Sequence, residues 1–290
     1  MSVRSTVLDL FGEYVQHAGG AIGLSPLSDL LGVAGIQPDA TRALMTRLRS
    51  EGWFTSRREG RKVSYSITPY LHAVLDEGRG RIYRTADGDW DGSWHMVIYH
   101  IPENRRALRE ALRKRLTFLG FGSPAPSTWL SARDLRARVE LLLLDLGVED
   151  VSEVGLIQML SGTGSVAVDR QIARRCWQLD AINDAYLEWI RTWRPKIQAY
   201  AADPPRGGAA LAADVALVGT YRKFPFIDPA LPADLLPARW HGRTAYSLFM
   251  AGHLALQPAA DAWFEKTTGM PVDRSSASLP ATEITAGLPR

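Results

Sequence analysis

At Gly52 the apolar period of the chain changes from that of a helix to that of a hairpin, and positive charge gathers on both sides of the change. Before it, Thr41, Leu44, Met45 and Leu48 recur at the spacing that lines one face of a helix. Pro38 and Asp39 suit the opening turn of that helix, and Gly52 terminates it. After it come two short extended runs, Trp53 to Arg57 and Val63 to Ile67. The turn between them, Arg58 to Lys62, contains Gly60, which supplies the backbone freedom that a tight turn needs. Upstream, Val7, Leu10, Phe11 and Tyr14 mark a helix over residues 3–17 that ends at Gly19-Gly20. A second short helix runs from Ser25, a capping residue followed by Pro26, to Leu31. Three helices followed by a hairpin is the plan of a winged helix-turn-helix.

Charge gives that plan a function. Arg42, Arg47, Arg49, Arg57, Arg58, Arg61 and Lys62 are opposed between residues 42 and 62 only by Glu51 and Glu59, in a 290-residue chain of net charge +3. Runs of charge are more often solvated faces than sites. Here the run coincides with an independently read helix and wing, so double-stranded operator DNA is the expected partner. The third helix is expected in the major groove, with Arg42 and Thr46 at base edges. Arg58, Arg61 and Lys62 of the wing are expected on phosphates, and Gln37, Asp39, Arg47, Arg49 and Arg57 complete the predicted DNA-binding set.

Further along, Tyr70 to Glu77 reads as a short helix and residues 78–93 as a linker. A new pattern then begins: an alternating strand (Trp94 to Ile101), a helix (Pro102 to Leu119), an extended segment around Trp129, a helix over 132–146 and a strand (Val154 to Leu160). The helix from Pro102 turns Leu108, Leu112, Leu116 and Leu119 inward and Arg105, Arg106, Arg109, Arg113, Lys114 and Arg115 outward, a face read as solvated. This order predicts a small ferredoxin-like α+β sandwich. The remainder reads as helix: an apolar series up to Pro195, a helix from Ala209 to Arg222, and another from Ala245 to Phe264 around Pro258. Between the last two, Phe224 to Gly242 is a proline-rich irregular connection, and a frayed tail is expected from Gly269. The fold class is therefore α+β: a winged-helix domain over 1–80, a sandwich over 90–166, a helical regulatory domain over 167–270 and a tail over 271–290.

Several classes are disfavoured. One cysteine, Cys176, permits no intrachain disulfide, in keeping with a reducing compartment. Asp9 and Glu13 interrupt the N-terminal apolar positions, so the start does not read as a signal peptide, and no apolar run approaches the about 20 residues that span a bilayer. A cytoplasmic protein without membrane contact is expected. Gly162-Thr-Gly164-Ser-Val-Ala167 matches a dinucleotide-binding pattern, but helix rather than a second strand follows it, so it reads as a loop. Signatures of nucleophilic hydrolases, P-loops and zincins are absent, and the six histidines are scattered without metal-ligand spacing. No catalytic residue, metal or cofactor is expected. The alternative kept open is a metal-dependent nuclease or nucleotide-using enzyme built on the central domain.

Over nearly its whole length the chain resembles the PaaX family, repressors of phenylacetate catabolism. The resemblance is carried by Val7-Leu-Asp-Leu-Phe-Gly-Glu-Tyr-Val with Gly19-Gly20, and by Leu48-Arg-Ser-Glu-Gly-Trp53. It continues in Ile101-Pro-Glu, Gly120-Phe-Gly and Trp129-Leu-Ser131, and is most specific in Tyr221-Arg-Lys-Phe and Leu235-Leu-Pro-Ala-Arg-Trp240-His-Gly242. It implies a homodimer on a palindromic operator, released by an aryl-CoA thioester such as phenylacetyl-CoA, and a central domain like the Cas2 nuclease fold. Cas2 enzymes place a metal-binding aspartate at the end of the first strand, where this chain has Ile98-Tyr-His100, so nuclease activity is not expected. Gly219 stands where many relatives carry a histidine.

A CoA thioester needs cations for its phosphates and an apolar slot for its acyl group. Arg222, Lys223 and Arg243 bracket Phe224, Phe226 and Trp240, and with Tyr221 they form the expected effector-binding set.

Overall fold

The computed structural model describes residues 2–83 and 90–275, and they gather into two compact units. Unit 1 comprises Met1–Tyr83, Leu187–Lys223 and Arg243–Arg290, and unit 2 comprises Arg84–Tyr186 and Phe224–Gly242. The organisation read along the sequence is linear, whereas in space the C-terminal helices divide between the units.

Unit 1 opens with α1 (Val3–Glu13), whose N-terminus is capped by the Ser2 hydroxyl accepting from the Ser5 amide. A 3-10 turn and a short strand, β1 (Ala21–Gly23), follow. The strand is unforeseen in the sequence because three residues are too few to show a period. Next come α2 (Leu24–Gly32) and α3 (Pro38–Ser50), then β2 (Phe54–Glu59) and β3 (Lys62–Ile67). The sheet runs β1-β3-β2 and is antiparallel throughout. The hairpin is tighter than expected: Glu59 pairs with Lys62, so the turn is only Gly60-Arg61, and Arg58 lies within β2. Gly60 takes φ +60°, the left-handed region a two-residue turn requires.

The helix α4 (Pro69–Ile82) begins at Thr68, whose hydroxyl accepts from the Leu71 amide, and absorbs part of the expected linker. The other linker positions include 84–89, which lie outside the described residues. In α1–α3 the stripes read from the sequence are buried: Val7, Leu10, Phe11 and Tyr14 meet Leu27, Leu30, Leu31, Met45 and Leu48. That core continues without a break into Ala210, Leu211, Val215, Ala260 and Phe264 of the C-terminal helices.

Unit 2 has the order β4 (Trp94–Ile98), α5 (Arg106–Phe118), β5 (Gly122–Ala125), β6 (Thr128–Ser131), α6 (Arg136–Asp145), β7 (Ile157–Ser161). The sheet order is β5-β6-β4-β7 with every pair antiparallel, which is the ferredoxin-like topology expected. One face carries Val97 and Trp129 against Leu112, Leu116, Val139 and Leu143 of the two helices. Trp94, Met96 and Leu130 lie on the other face, packed with α7 (Val166–Cys176) and with Leu231 and Leu235 of the proline-rich connection. That connection contains a one-turn helix, α10 (Phe224–Ile227), and is otherwise irregular.

Two expectations about helices are corrected. The run ending near Pro195 is two helices, α7 and α8 (Leu179–Ala202), because the chain becomes extended at Trp177, whose indole packs with Trp94. Pro195 lies inside α8 rather than ending it, as Pro258 lies inside α11 (Gly242–Thr268). The division between the units falls within α8. The remaining helix, α9 (Gly208–Tyr221), is the most apolar and forms part of the unit 1 core.

The tail also begins later than expected. Met270 and Val272 pack on the unit 1 core, the Asp273 amide donates to the His17 carbonyl, and Arg274 pairs with Asp261 at 2.8 Å. Residues 276–290 lie outside the described residues.

Candidate nucleic-acid interface

Helix α3 is held by its buried side, where Thr41, Leu44, Met45 and Leu48 seat in the unit 1 core. Its other side is solvent-facing and carries Gln37 (at the N-cap), Asp39, Arg42, Thr46, Arg47 and Arg49. The hairpin is anchored at one end by Phe54, which is 2% exposed and meets Phe11 with ring centroids 4.6 Å apart. It is anchored in the middle by Tyr65, leaving Arg57, Arg58, Arg61 and Lys62 exposed. Arg49 donates to Ser56 Oγ at 3.3 Å, joining helix to hairpin across the polar surface. The structure thus brings all ten predicted DNA-binding residues onto the exposed surface of one helix and the hairpin that follows it.

These arginines are loosely occupied. Arg42 pairs with Asp39 at 2.8 Å, Arg47 with Glu51 at 3.5 Å and Arg57 with Glu59 at 3.0 Å, all in solvent. Arg58 Nε donates to the Gly60 carbonyl at 3.1 Å and so braces the turn. Exposed ion pairs contribute about 0–1 kcal/mol, so a phosphate can displace their carboxylates at small cost. The basic face of α5 and the turn before it is paired in the same way, Arg105, Arg109, Arg113 and Arg115 meeting Glu153, Glu103, Glu110 and Asp145.

The predicted effector residues divide between the units. In unit 1, Tyr221 is buried and stacked on Phe249 at 4.1 Å, while Lys223 and Arg243 are exposed. Arg222 pairs with Asp9 of α1 and donates to Ser5 Oγ at 2.7 Å. In unit 2, Phe224 stacks on Tyr186 at 4.0 Å and Trp240 meets the same ring edge-on at 5.7 Å. Phe226 is exposed beside Phe118. Tyr186 donates to Asp228, whose carboxyl is pushed above its usual range by burial. Gly219 is buried within α9.

Sequence reasoning missed a buried polar cluster in unit 1. Asp214, fully buried in α9, accepts from the Tyr14 hydroxyl and lies 2.7 Å from Nδ1 of His253 on α11. Tyr83 donates to Glu13 at 2.8 Å and lies 3.4 Å from Nε2 of His253. Arg274 stacks over Tyr14 at 5.4 Å and approaches Glu13 at 4.0 Å. Burial and Asp214 push the Tyr14 hydroxyl well above the ordinary tyrosine range. The available signal was Asp214 itself, a single acid in the apolar run Ala209 to Val218.

The pattern at 162–167 does not open a dinucleotide site, since β7 is antiparallel to its neighbour and α7 leads into α8. Among the described residues no group of three His, Cys, Asp or Glu side chains is placed to hold a metal ion, and no helix is long and apolar enough to cross a membrane.

Three family models match in succession: the PaaX-like protein model over residues 2–70, the PaaX protein central Cas2-like domain over 87–164 and the PaaX-like protein C-terminal domain over 177–266. Transcriptional repressor PaaX of Escherichia coli (strain K12) is 31% identical over 262 residues, covering 90% of this chain and 82% of that protein. Among solved structures, uncharacterized protein Rv0674 from Mycobacterium tuberculosis has the same fold, with a TM-score of 0.58, 21% identity and coverage of 90% of this chain and 98% of that one.

Proposed function

The chain belongs to the PaaX family, and on that footing we propose that it is a transcriptional repressor of a phenylacetate-type catabolic operon. The observation that carries this reading is the exposed basic surface shared by α3 and the β2–β3 hairpin, mounted on a core that leaves those side chains in solvent. Helix α3 enters the major groove, where Arg42 and Thr46 reach base edges, and the hairpin acts as a wing on the phosphates. Two copies bind the two halves of a palindromic operator. An aryl-CoA thioester such as phenylacetyl-CoA releases them by binding better to an arrangement whose winged helices do not match the half-site spacing.

Binding to DNA from the protein's own upstream region, with and without phenylacetyl-CoA at two salt concentrations, tests the reading. Specific, salt-dependent binding that the thioester releases is the expected result. Specific binding indifferent to the thioester removes the effector, and no specific binding at either salt removes the repressor.

A further inference from the structure

Helix α1 is built into the C-terminal helices as much as into the DNA-reading region. Its apolar side shares one core with α2 and α3 and with α9 and α11. Inside that core lie polar groups that apolar packing would not require. Asp214 of α9 accepts from Tyr14, which follows α1, and from His253 of α11. Glu13, the last residue of α1, accepts from Tyr83, which follows α4, and meets Arg274 from the C-terminal segment and Arg79 from α4. A second tie stands apart from these: Arg222, directly after α9, grips Asp9 and Ser5 on α1.

The partners of His253 favour its charged form. A carboxylate only accepts, so Nδ1 donates its proton to Asp214. Tyr83 gives its own proton to Glu13 and offers Nε2 a lone pair, so the second ring nitrogen also donates. The imidazolium matches both neighbours. The charged and titratable groups that face it are Asp214 from α9, Glu13 from α1, Tyr83 from the end of α4 and Arg274 from the C-terminal segment.

Burying these groups is costly, and well-packed apolar side chains of the same volume are often as stable or more so. What a satisfied polar cluster adds is direction: it selects one register of helix against helix, and losing one member leaves the others buried without partners. We propose that Asp214 and His253 are positioning residues that lock α1 onto α9 and α11, so that the C-terminal helices and the DNA-reading face open and close as one element. The repressor reading supplies only the use of this element, namely that a ligand acting on the C-terminal helices is felt at α3.

The test is native-state hydrogen exchange on the full-length chain, without DNA or ligand, corrected for intrinsic rates. In the wild type, amides of α1, α9 and α11 are expected to share one opening equilibrium. Asp214→Asn is expected to speed exchange in α1 and α9 together by about tenfold while α5 and α6 keep their rates, since a charged hydrogen bond of about 1.4 kcal/mol or more is removed. The wild type is expected to lose α1 protection as pH rises above 6.5, and His253→Gln is expected to abolish that loss. Should Asp214→Asn fail to fold, Tyr14→Phe removes one hydrogen bond and keeps the ring stacked on Phe264. Unchanged α1 exchange in a folded variant, or α9 opening without α1, overturns the proposal. Both results stand whether or not the protein binds operator DNA, so failure of the repressor reading is read separately.

Discussion

Nδ1 of His253 and Oδ1 of Asp214 lie 2.7 Å apart inside unit 1, joining α11 to α9 in the core that also holds α1. The two residues are separated in sequence by the proline-rich connection and by parts of the helices that carry them, yet both are almost completely buried. A pair of this kind makes stability depend on pH in a direction that the hydrogen bonds set.

Burial opposes the charged ring, but Asp214 and Glu13 outweigh it, so His253 titrates above the usual 6.5. A folded-state value above the unfolded one gives stability that is complete below pH 6.5 and is lost as pH rises through the folded value. As pH rises above 6.5 the wild-type urea midpoint is therefore expected to fall relative to that of His253→Gln. His17 acts in the opposite sense and is common to both proteins, so the difference between their midpoints is what reports His253. Burial of His17 beside Arg79 and Arg274 lowers it to about 4, so its stabilising effect grows as pH rises from about 4 through 6.5. Equal slopes for the two proteins above pH 6.5 would count against the assignment.

Arg222→Ala is expected to cost about 2 kcal/mol, because it leaves Asp9 buried without its cation. The loss is below the about 3–5 kcal/mol typical of a fully buried pair, since Arg222 keeps part of its side chain in solvent. Burial already holds the Asp9 carboxyl up at about 6 despite Arg222 beside it. Asp9→Asn with Arg222→Ala should recover a good part of the loss, because the orphaned charge is removed as well. Denaturant titration of wild type and the two variants decides this, and equal stabilities of the two variants would show that the orphaned Asp9 charge is not what Arg222→Ala costs. The same control is needed before any loss of effector response in Arg222→Ala is read as loss of ligand binding.

Much of this was visible in local pattern, and what was not depends on distance along the chain. The stripe Thr41, Leu44, Met45 and Leu48 and the exposed residues Arg42 and Thr46 follow from helical period alone, as does the ferredoxin-like order around Val97 and Leu112. Period also located α9 and α11, yet it did not show that Leu211 and Phe264 share a core with Phe11 and Leu48. That association is made by side chains some 200 positions apart, which no short window contains. Pro195 reads locally as a helix end for a related reason: burial of Trp189, Ile190, Trp193 and Ile197 holds α8 together across the missing hydrogen bond. In sequence Arg222 stands as one of three cations bracketing aromatics, whereas its partners Asp9 and Ser5 lie at the other end of the chain.

Gly122 tests the packing of unit 2. A Cβ there would lie 2.5 Å from Cε2 of Trp177 and 2.6 Å from Cβ of Cys176, neither at the end of a flexible side chain. The Trp177 indole is further fixed by its donation to the Gly120 carbonyl at 3.2 Å. Gly122→Ala is expected to destabilise the protein by about 1–3 kcal/mol, the usual cost of overpacking. A melting temperature unchanged from wild type would show that α7 can move away from the sheet freely.

The last prediction separates base reading from phosphate binding on the surface formed by α3 and the hairpin. Arg61 and Lys62 project from the turn and the start of β3, where a wing meets the backbone of the duplex, and phosphates are the same at every sequence. Replacing either by Ala is expected to weaken binding to operator and to unrelated DNA alike. The slope of log affinity against log salt should then fall by about 0.9 for each phosphate that is no longer neutralised. Arg42 lies on the exposed side of α3, one turn from Thr46, whose hydroxyl donates to the Arg42 carbonyl at 3.0 Å. Removing a bidentate arginine–guanine pair costs about 1–3 kcal/mol at the matched base only, so Arg42→Ala should lower operator affinity more than non-specific affinity and flatten discrimination at one position of each half-site. Titrations of wild type, Arg42→Ala and Arg61→Ala on operator and scrambled DNA at two salt concentrations distinguish the roles. If Arg42→Ala weakened both DNAs equally and carried the same salt change as Arg61→Ala, Arg42 would be a phosphate ligand, and the base reading would have to be sought elsewhere along α3.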